Sequence, residues 1–202
     1  MKLYWVPVSP YARKVFIAAR EHRLLEQIEA IEIKVTEPNP ELMQFNPLNK
    51  VPTLVLDDGR ALYDSIVICE YFDSIGSGTK LFPASGDERW DALRRHALGS
   101  GFTDLLISWR TEVTQSPELQ SKDRIDKYVA KTRRVLELLE HEAHEQRSSF
   151  DIGDIAIGCA LAYMYFRFPQ FALGPESPLQ RWYERFDARP SVAATRIAPF
   201  GS

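Results

Sequence analysis

The sequence has few cysteines and histidines, and this shortage excludes several kinds of site. Its 202 residues include two cysteines, Cys69 and Cys159, which lie far apart in apolar helical patterns. We expect both to be buried free thiols rather than partners in a disulfide. Two cysteines and four scattered histidines do not suit a zinc site. No histidine is spaced with a serine or cysteine as a triad, so we interpret all four as surface or packing residues.

Excess basic charge and long apolar runs are also absent. Lys and Arg number 25 against 28 Asp and Glu, which gives a net charge of −3. No basic stretch stands out, which argues against nucleic acid as a partner. No apolar run is long enough to cross a bilayer. The first residues, MKLYWVPVSPYARK, lack the apolar core and cleavage site of a signal peptide, so we expect a cytoplasmic protein with no membrane partner.

The first part of the chain mixes strand and helix patterns. KLYWVPV and IEAIEIKV predict strands, and PYARKVFIAAREHRL between them predicts a helix that opens with Pro10. NPELMQFN predicts a short helix, and VPTLVLDDGRALYD predicts a hairpin that turns at Asp58-Gly59. SIVICEYFDSI predicts a helix capped by Ser65 or Asp64. The order β-α-β-α-β-β-α implies parallel first strands joined to an antiparallel hairpin.

Glycines and prolines then cluster in GSGTKLFPASG, which marks a domain boundary. We predict an α/β domain over residues 1–76, a linker over 77–86 and an all-helical domain over 87–202. Helical periodicity dominates DERWDALRRHALGSGFTDLLISWRTEV, KDRIDKYVAKTRRVLELLEHEAHEQ and SPLQRWYERFDA. DIGDIAIGCALAYMYFRF is almost wholly apolar, so we expect its helix at the buried centre of the second domain.

The pair Ser9-Pro10 follows the first strand and opens a helix. The free N–H groups and the dipole of a helix N-terminus favour an anion. A hydroxyl there can also donate a hydrogen bond to a thiolate and favour its ionised form. Serine is equally a preferred helix cap, and the motif taken alone favours that structural role.

Two further motifs allow the same two interpretations. In NKVPT, a cis Val51–Pro52 bond would turn the Val51 backbone outward to pair with a peptide-like ligand, whereas a trans proline would simply open a strand. In the pair Asp64-Ser65, the hydroxyl and N–H of Ser65 suit a carboxylate, and Asp64 suits an ammonium group. Helix capping explains this second pair equally well.

Together the three motifs resemble the thioredoxin-like domain of the cytosolic glutathione transferases. The most specific stretch is FNPLNKVPTLVLDDGRALYDSIVICEYFD, which is similar to the family's run from an NP-x-x-KVP turn to an acidic-or-Gln-Ser pair and a helix. DIGDIAIGCAL resembles the capping motif of the family's helical domain, with Asp151 at the usual Ser or Thr position and Asp154 three residues on. The resemblance covers nearly the whole chain and looks closest to small bacterial members. It implies a thioredoxin-like α/β domain plus an all-α domain.

The resemblance also implies a role for each motif. Ser9 falls at the position that activates the thiol of glutathione, and no cysteine lies near it, which argues against the thiol–disulfide branch of the family. Conjugation to a small hydrophobic electrophile is therefore the implied reaction, with glutathione as co-substrate and no metal. The implied glutathione-binding residues are Lys50, Val51, Pro52, Asp64 and Ser65.

The electrophile is expected at the helical domain, where the resemblance allows Tyr11, Phe102 and Trp109 as walls of its site. Each of these aromatic residues has core packing as its alternative, and that alternative is strongest for Trp109. The family analogy also implies a homodimer and a role in detoxification.

Two other functions stay open, because one fold serves several functions. The same fold acts as a non-catalytic binding or regulatory module, and it also occurs in glutathione-dependent isomerases and lyases. Modules of the first kind can lose the activating residue or the carboxylate-binding serine. This sequence keeps both, which favours glutathione binding at least.

Overall fold

The computed structural model describes residues 1–34, 38–143 and 149–196. It divides into two compact units. The first contains residues 1–86 together with the described residues from Arg189 onward, and the second is Asp87–Ala188. The boundary thus differs from the predicted one, because residues 77–86 and the C-terminal segment both belong to the first unit.

Side-chain contacts explain why the C-terminal segment belongs to the first unit. Arg189 donates hydrogen bonds of 2.7 and 2.6 Å to the two carboxylate oxygens of Glu21. The Ser191 hydroxyl donates to the same carboxylate. Arg13 donates to the carbonyl of Val192 at 3.4 Å. These contacts join residues far apart in sequence, so no shift in composition could have revealed them.

The first unit contains a four-stranded sheet in the order β2-β1-β3-β4. β1 pairs in parallel with β2 and antiparallel with β3, and β3 pairs antiparallel with β4. The predicted mixed topology is confirmed, and Gly59 forms the hairpin turn with a φ of +85°. The strands are β1 (Lys2–Trp5), β2 (Glu29–Glu32), β3 (Thr53–Val55) and β4 (Ala61–Leu62).

Three predicted helices of this unit are confirmed, and their bounds follow local signals. Ser9 caps the first, Asn39 the second and Asp64 the third, each by accepting a backbone N–H. Apolar side chains of the first and third helices, such as Ile17 and Phe72, are fully buried. The helices are α1 (Pro10–Glu21), α2 (Pro40–Phe45) and α3 (Ser65–Ile75), and the short α8 (Pro190–Ala193) of the C-terminal segment was not predicted.

The second unit is helical, as predicted, with α6 buried along its length from Ile152 to Met164. Gly99 allows α4 to approach α6 closely, since a Cβ atom there would lie 2.5 Å from the carbonyl carbon of Ala156. The predicted end of α5 lies partly outside the described residues. The helices are α4 (Gly86–Val113), α5 (Lys122–Glu142), α6 (Ile152–Arg167) and α7 (Pro178–Asp187).

The predicted capping motif of the helical unit is present at the start of α6. Asp151 accepts the N–H groups of Gly153 and Asp154 at 2.8 and 3.1 Å, and the Asp154 carboxylate accepts the Asp151 N–H at 3.0 Å. Buried Arg95 donates to Asp154 at 2.6 Å and to Asp151 at 3.3 Å. The guanidinium group therefore pairs the two buried carboxylates, a contact that the sequence pattern did not indicate.

The described residues lack two kinds of feature. No helix among them is both long and apolar enough to span a membrane. The same part of the chain holds no group of three or more His, Cys, Asp or Glu side chains that suits a metal ion. Cys69 and Cys159 are buried free thiols, as expected.

Candidate active site

The sheet topology brings the three polar motifs of the first unit to one end of the sheet. Tyr4 near the end of β1 lies opposite Thr53 at the start of β3. Antiparallel β4 then ends beside the start of β3. Ser9 follows β1, Val51 precedes β3 and Ser65 follows β4. All three motifs therefore lie at the same end of the sheet.

Ser9 caps α1 through its side-chain oxygen. It is 8% exposed, and its Oγ accepts the N–H of Ala12 at 3.1 Å. Within the described residues its hydroxyl proton has no acceptor. A hydroxyl can accept and donate at once. Capping and donation to a ligand therefore use different parts of the same group and do not exclude each other.

The main-chain groups of Val51 lie just before β3. Neither its N–H nor its C=O has a hydrogen-bond partner among the described residues. The Val51–Pro52 bond is cis. A free peptide N–H and C=O beside a strand are the groups that an added strand-like peptide pairs with.

Asp64 and Ser65 open α3 with different roles. Asp64 is the cap, and its Oδ1 accepts the N–H of Ile66 at 3.1 Å. Ser65 is 3% exposed, and in the described part of the chain neither its N–H nor its hydroxyl is paired. The Tyr63–Asp64 peptide bond is cis. A free N–H and hydroxyl at the positive end of an 11-residue helix suit a carboxylate.

The side chain and the backbone carbonyl of Lys50 lie in different environments. Its side chain is exposed and forms no ion pair with a described residue. Its carbonyl oxygen accepts hydrogen bonds from the buried side chains of Asn46 and Thr53, at 3.2 and 2.8 Å. Neither Asn46 nor Thr53 was predicted from the sequence as part of the site. The Asn46-Pro47 pair before KVPT belongs to the stretch that resembles the family, but the buried contacts of Asn46 are visible only in the fold.

Comparison with known proteins identifies the family. The profile of the glutathione S-transferase N-terminal domain matches residues 8–75. The GST-like protein YibF of Escherichia coli strain K12 is 30% identical over 171 residues, which are 83% of each chain. The chain belongs to the glutathione S-transferase family. The family resemblance expected from the sequence is thereby confirmed.

Two solved structures of glutathione transferases are similar to this chain over 98% of its length. One is a family member from Pseudomonas fluorescens Pf-5 with bound glutathione, which is 37% identical, with a TM-score of 0.92 over 98% of this chain and 99% of its own. The other is a glutathione S-transferase from Methylobacillus flagellatus KT with GSH bound, which is 32% identical, with a TM-score of 0.87 over 98% and 99% of the two chains. The expected fold of this family, a thioredoxin-like domain followed by a helical one, is therefore confirmed.

The three aromatic residues that the glutathione transferase resemblance suggested have unlike environments. Tyr11 is partly exposed in the first turn of α1, with Lys14 Nζ 5.6 Å from its ring centroid. Phe102 and Trp109 in α4 are only 2% and 3% exposed. Trp109 also stacks on Phe168 with the ring centroids 4.0 Å apart. The packing alternative is favoured for these two, because their surfaces are already covered, and Tyr11 is the best-exposed candidate.

Proposed function

We propose that this family member is a glutathione transferase that binds reduced glutathione, stabilises its thiolate through Ser9 and adds it to a small hydrophobic electrophile. One observation carries the proposal, namely the set of polar groups at one end of the sheet that have no partner among the described residues. The set includes the hydroxyl proton of Ser9, the main chain of Val51, and the N–H and hydroxyl of Ser65. These groups suit, in turn, the thiolate, the peptide backbone and a carboxylate of glutathione.

The interactions available at Ser9 are strong enough to stabilise a thiolate. A free thiol has a pKa of about 8.5, so only a few per cent of it is thiolate at neutral pH. Lowering that pKa by about two units requires about 2.7 kcal/mol of preferential stabilisation. A hydrogen bond to a charged group contributes about 1.5–3 kcal/mol, and a helix dipole adds about 0.3–1 kcal/mol. The Ser9 hydroxyl and the first turn of α1 supply both.

The remaining residues of the proposed site hold the ends and the middle of the peptide. Val51 pairs by its main chain with the cysteinyl backbone, beside Pro52. Ser65 holds the γ-glutamyl carboxylate, and Asp64 sits beside it. Lys50 extends toward the glycyl carboxylate, because its ammonium group has no described partner. Solved relatives with bound glutathione support this ligand.

Tyr11 is the aromatic residue that we assign to the electrophile, because its ring is partly exposed two residues after Ser9. Phe102 and Trp109 would act through the packing of α4 rather than by contact with the ligand. A screen of small hydrophobic electrophiles against the wild type and Tyr11→Ala tests this assignment.

A homodimer is the second part of the proposal, as the family resemblance implies. Val67 and Ile75 on α3 are 42% and 46% exposed, and Tyr71 lies between them at helical spacing. A second copy of the chain would cover this apolar stripe. Light scattering of the purified protein tests it, and Val67→Glu should shift the mass to that of one chain. Leu119→Glu is the control, because Leu119 is 62% exposed and lies outside α3.

The expected cytoplasmic location and role in detoxification stay predictions.

The first experiment is calorimetric titration of the purified chain with reduced glutathione and with S-hexylglutathione. We expect saturable binding of both ligands in the micromolar to low-millimolar range. If neither ligand binds, the proposed function is refuted. The chain would then be a binding module that keeps these motifs only as helix caps and a turn.

A further inference from the structure

A buried cluster of hydrogen bonds holds the peptide group between Lys50 and Val51. Asn46 and Thr53 are 1% and 0% exposed. Asn46 Nδ2 donates to the Lys50 carbonyl at 3.2 Å and to Thr53 Oγ1 at 2.9 Å. Thr53 Oγ1 donates in turn to the same carbonyl at 2.8 Å. Both lone pairs of the Lys50 oxygen are therefore used inside the protein.

Asn46 is itself fixed on every side. Its Oδ1 accepts the N–H of Leu48 at 3.1 Å. Its own N–H donates to the carbonyl of Leu42 at 2.8 Å, and its carbonyl accepts the N–H of Asn49 at 3.0 Å. A buried amide with all of its donors and acceptors satisfied has one orientation. The Lys50 carbonyl is thus held by a rigid group rather than by a mobile side chain.

The geometry of a peptide group converts this contact into a direction for Val51. The Lys50–Val51 bond is not among the cis bonds of the chain. In a planar trans peptide, the C=O and the N–H point in opposite directions. Because the Lys50 carbonyl is turned toward Asn46 and Thr53, the Val51 N–H is turned away from them, where no described residue pairs with it.

We infer that Asn46 and Thr53 are positioning residues, which aim the Val51 N–H at the cysteinyl carbonyl of glutathione. This inference rests on the proposed function, since it concerns the same ligand. Neither side chain touches the ligand, and both act through the Lys50–Val51 peptide. A free N–H held in one direction loses little entropy when it pairs, so the arrangement raises affinity by preorganisation.

The test compares Thr53→Val with Thr53→Ser. Valine matches the shape of threonine but has no hydroxyl, whereas serine keeps the hydroxyl and loses only a methyl group. We expect Thr53→Val to weaken binding of S-hexylglutathione by about 3- to 10-fold, the value of one neutral hydrogen bond. We expect Thr53→Ser to bind like the wild type. Thermal unfolding of both variants identifies a temperature at which each is folded, and calorimetry is done there.

A merely structural role gives a different result. Thr53→Val would then lower the free energy of unfolding while the dissociation constant stays equal to that of Thr53→Ser, and this outcome overturns the inference alone. Failure of the wild type to bind refutes the proposed function, and the inference falls with it.

A second measurement needs no variant. In a ¹⁵N-labelled wild-type protein, the amide proton of Val51 should move downfield on saturation with S-hexylglutathione, because it gains a hydrogen bond. If the ligand binds and this resonance stays in place, the inference is wrong even when the Thr53 variants do not fold.

Discussion

The Oγ of Ser9 lies 3.1 Å from the backbone nitrogen of Ala12 and accepts its N–H. The contact makes Ser9 a true helix cap, and it leaves the hydroxyl proton available for another acceptor. Replacing Ser9 by alanine would remove both functions at once. A loss of activity in that variant would therefore not identify which function mattered.

Ser9→Gly separates the two roles of this residue. Glycine at an N-cap costs only about a few tenths of a kcal/mol relative to serine, and it has no side-chain donor to activate a thiol. We expect Ser9→Gly to keep nearly the stability of the wild type while conjugation falls by roughly 10²–10³-fold, as on removal of an oxyanion donor. We expect Ser9→Thr to retain activity. Turnover with a model aryl halide and the ultraviolet absorbance of bound thiolate against pH are the measurements.

The control for this prediction is Ser121→Ala, which removes the corresponding cap of α5. It should cost about 0.5–2 kcal/mol of stability without changing the pKa of bound glutathione. An unchanged rate and thiol pKa in Ser9→Gly would show that the hydroxyl of Ser9 has no catalytic role.

Ser65→Ala should weaken glutathione binding. The variant removes a hydroxyl donor from the proposed carboxylate site, and a hydrogen bond to a charged group is worth about 1.5–3 kcal/mol, or roughly 10- to 100-fold in affinity. Calorimetric titration with glutathione measures the change. Ser74→Ala is a matched control on the same helix, because the Ser74 hydroxyl is exposed and donates to the Tyr71 carbonyl. Equal affinity of the two variants would exclude Ser65 from the site.

His22 should make the folded state sensitive to mild acid. Its side chain is fully buried, with Nε2 3.1 Å from Asp73 Oδ1. Burial lowers the pKa of His22, and the charge of Lys80 adds to this effect, although Asp73 and Glu21 oppose it. A folded-state pKa below the unfolded value means that stability is complete above the unfolded pKa, near about 6.5, and is lost as the pH falls through the folded one.

We therefore expect the free energy of unfolding to decrease between about pH 7 and pH 5, by at most about 1.4 kcal/mol per pH unit from this group. In His22→Gln the decrease should be smaller, whatever the overall stability of the variant. His141→Gln, at an exposed position of α5, should retain the wild-type slope. Urea titrations at several pH values give the slopes, and parallel curves for His22→Gln and wild type would contradict the assignment.

Glu21 should stabilise the first unit by holding the C-terminal segment. Burial opposes its ionisation, but the hydrogen bonds from Arg189 and Ser191 outweigh burial and lower the pKa of Glu21. Its contribution is therefore present above the unfolded pKa of about 4.3 and is lost as the pH falls further. Glu21→Gln should cost about 1–2 kcal/mol at neutral pH, toward the low end because the Arg189 side chain is 36% exposed.

The matched comparison for Glu21 is Asp58→Asn, which breaks the ion pair between Asp58 and Arg60. The side chains of Asp58 and Arg60 are 52% and 72% exposed, respectively. Surface pairs of this kind contribute little, so the unfolding of Asp58→Asn should match that of the wild type. Urea unfolding at neutral pH and below about pH 4 measures both variants. Equal losses in the two would show that the Glu21 contact has no special weight.

Short-range signals in the sequence were sufficient to predict the four strands and helices α1 to α7. SIVICEYFDSI predicted the extent of α3, Asp58-Gly59 predicted the hairpin, and Asp151 predicted the cap of α6. These features depend on residues a few positions apart, whose contacts follow from helix and turn geometry. For the same reason Ser9, Val51 and Ser65 could be named before the fold was known.

Tertiary structure alone decided which distant residues meet. Arg189 pairs with Glu21 and so assigns the C-terminal segment to the first unit, against the predicted boundary. Trp109 is covered by Phe168, which a helical period cannot show because it names a face and not the neighbour against it. Asn46 and Thr53 likewise acquire a role only when the folded turn removes their polar groups from water. Burial then makes their hydrogen bonds to one carbonyl obligatory.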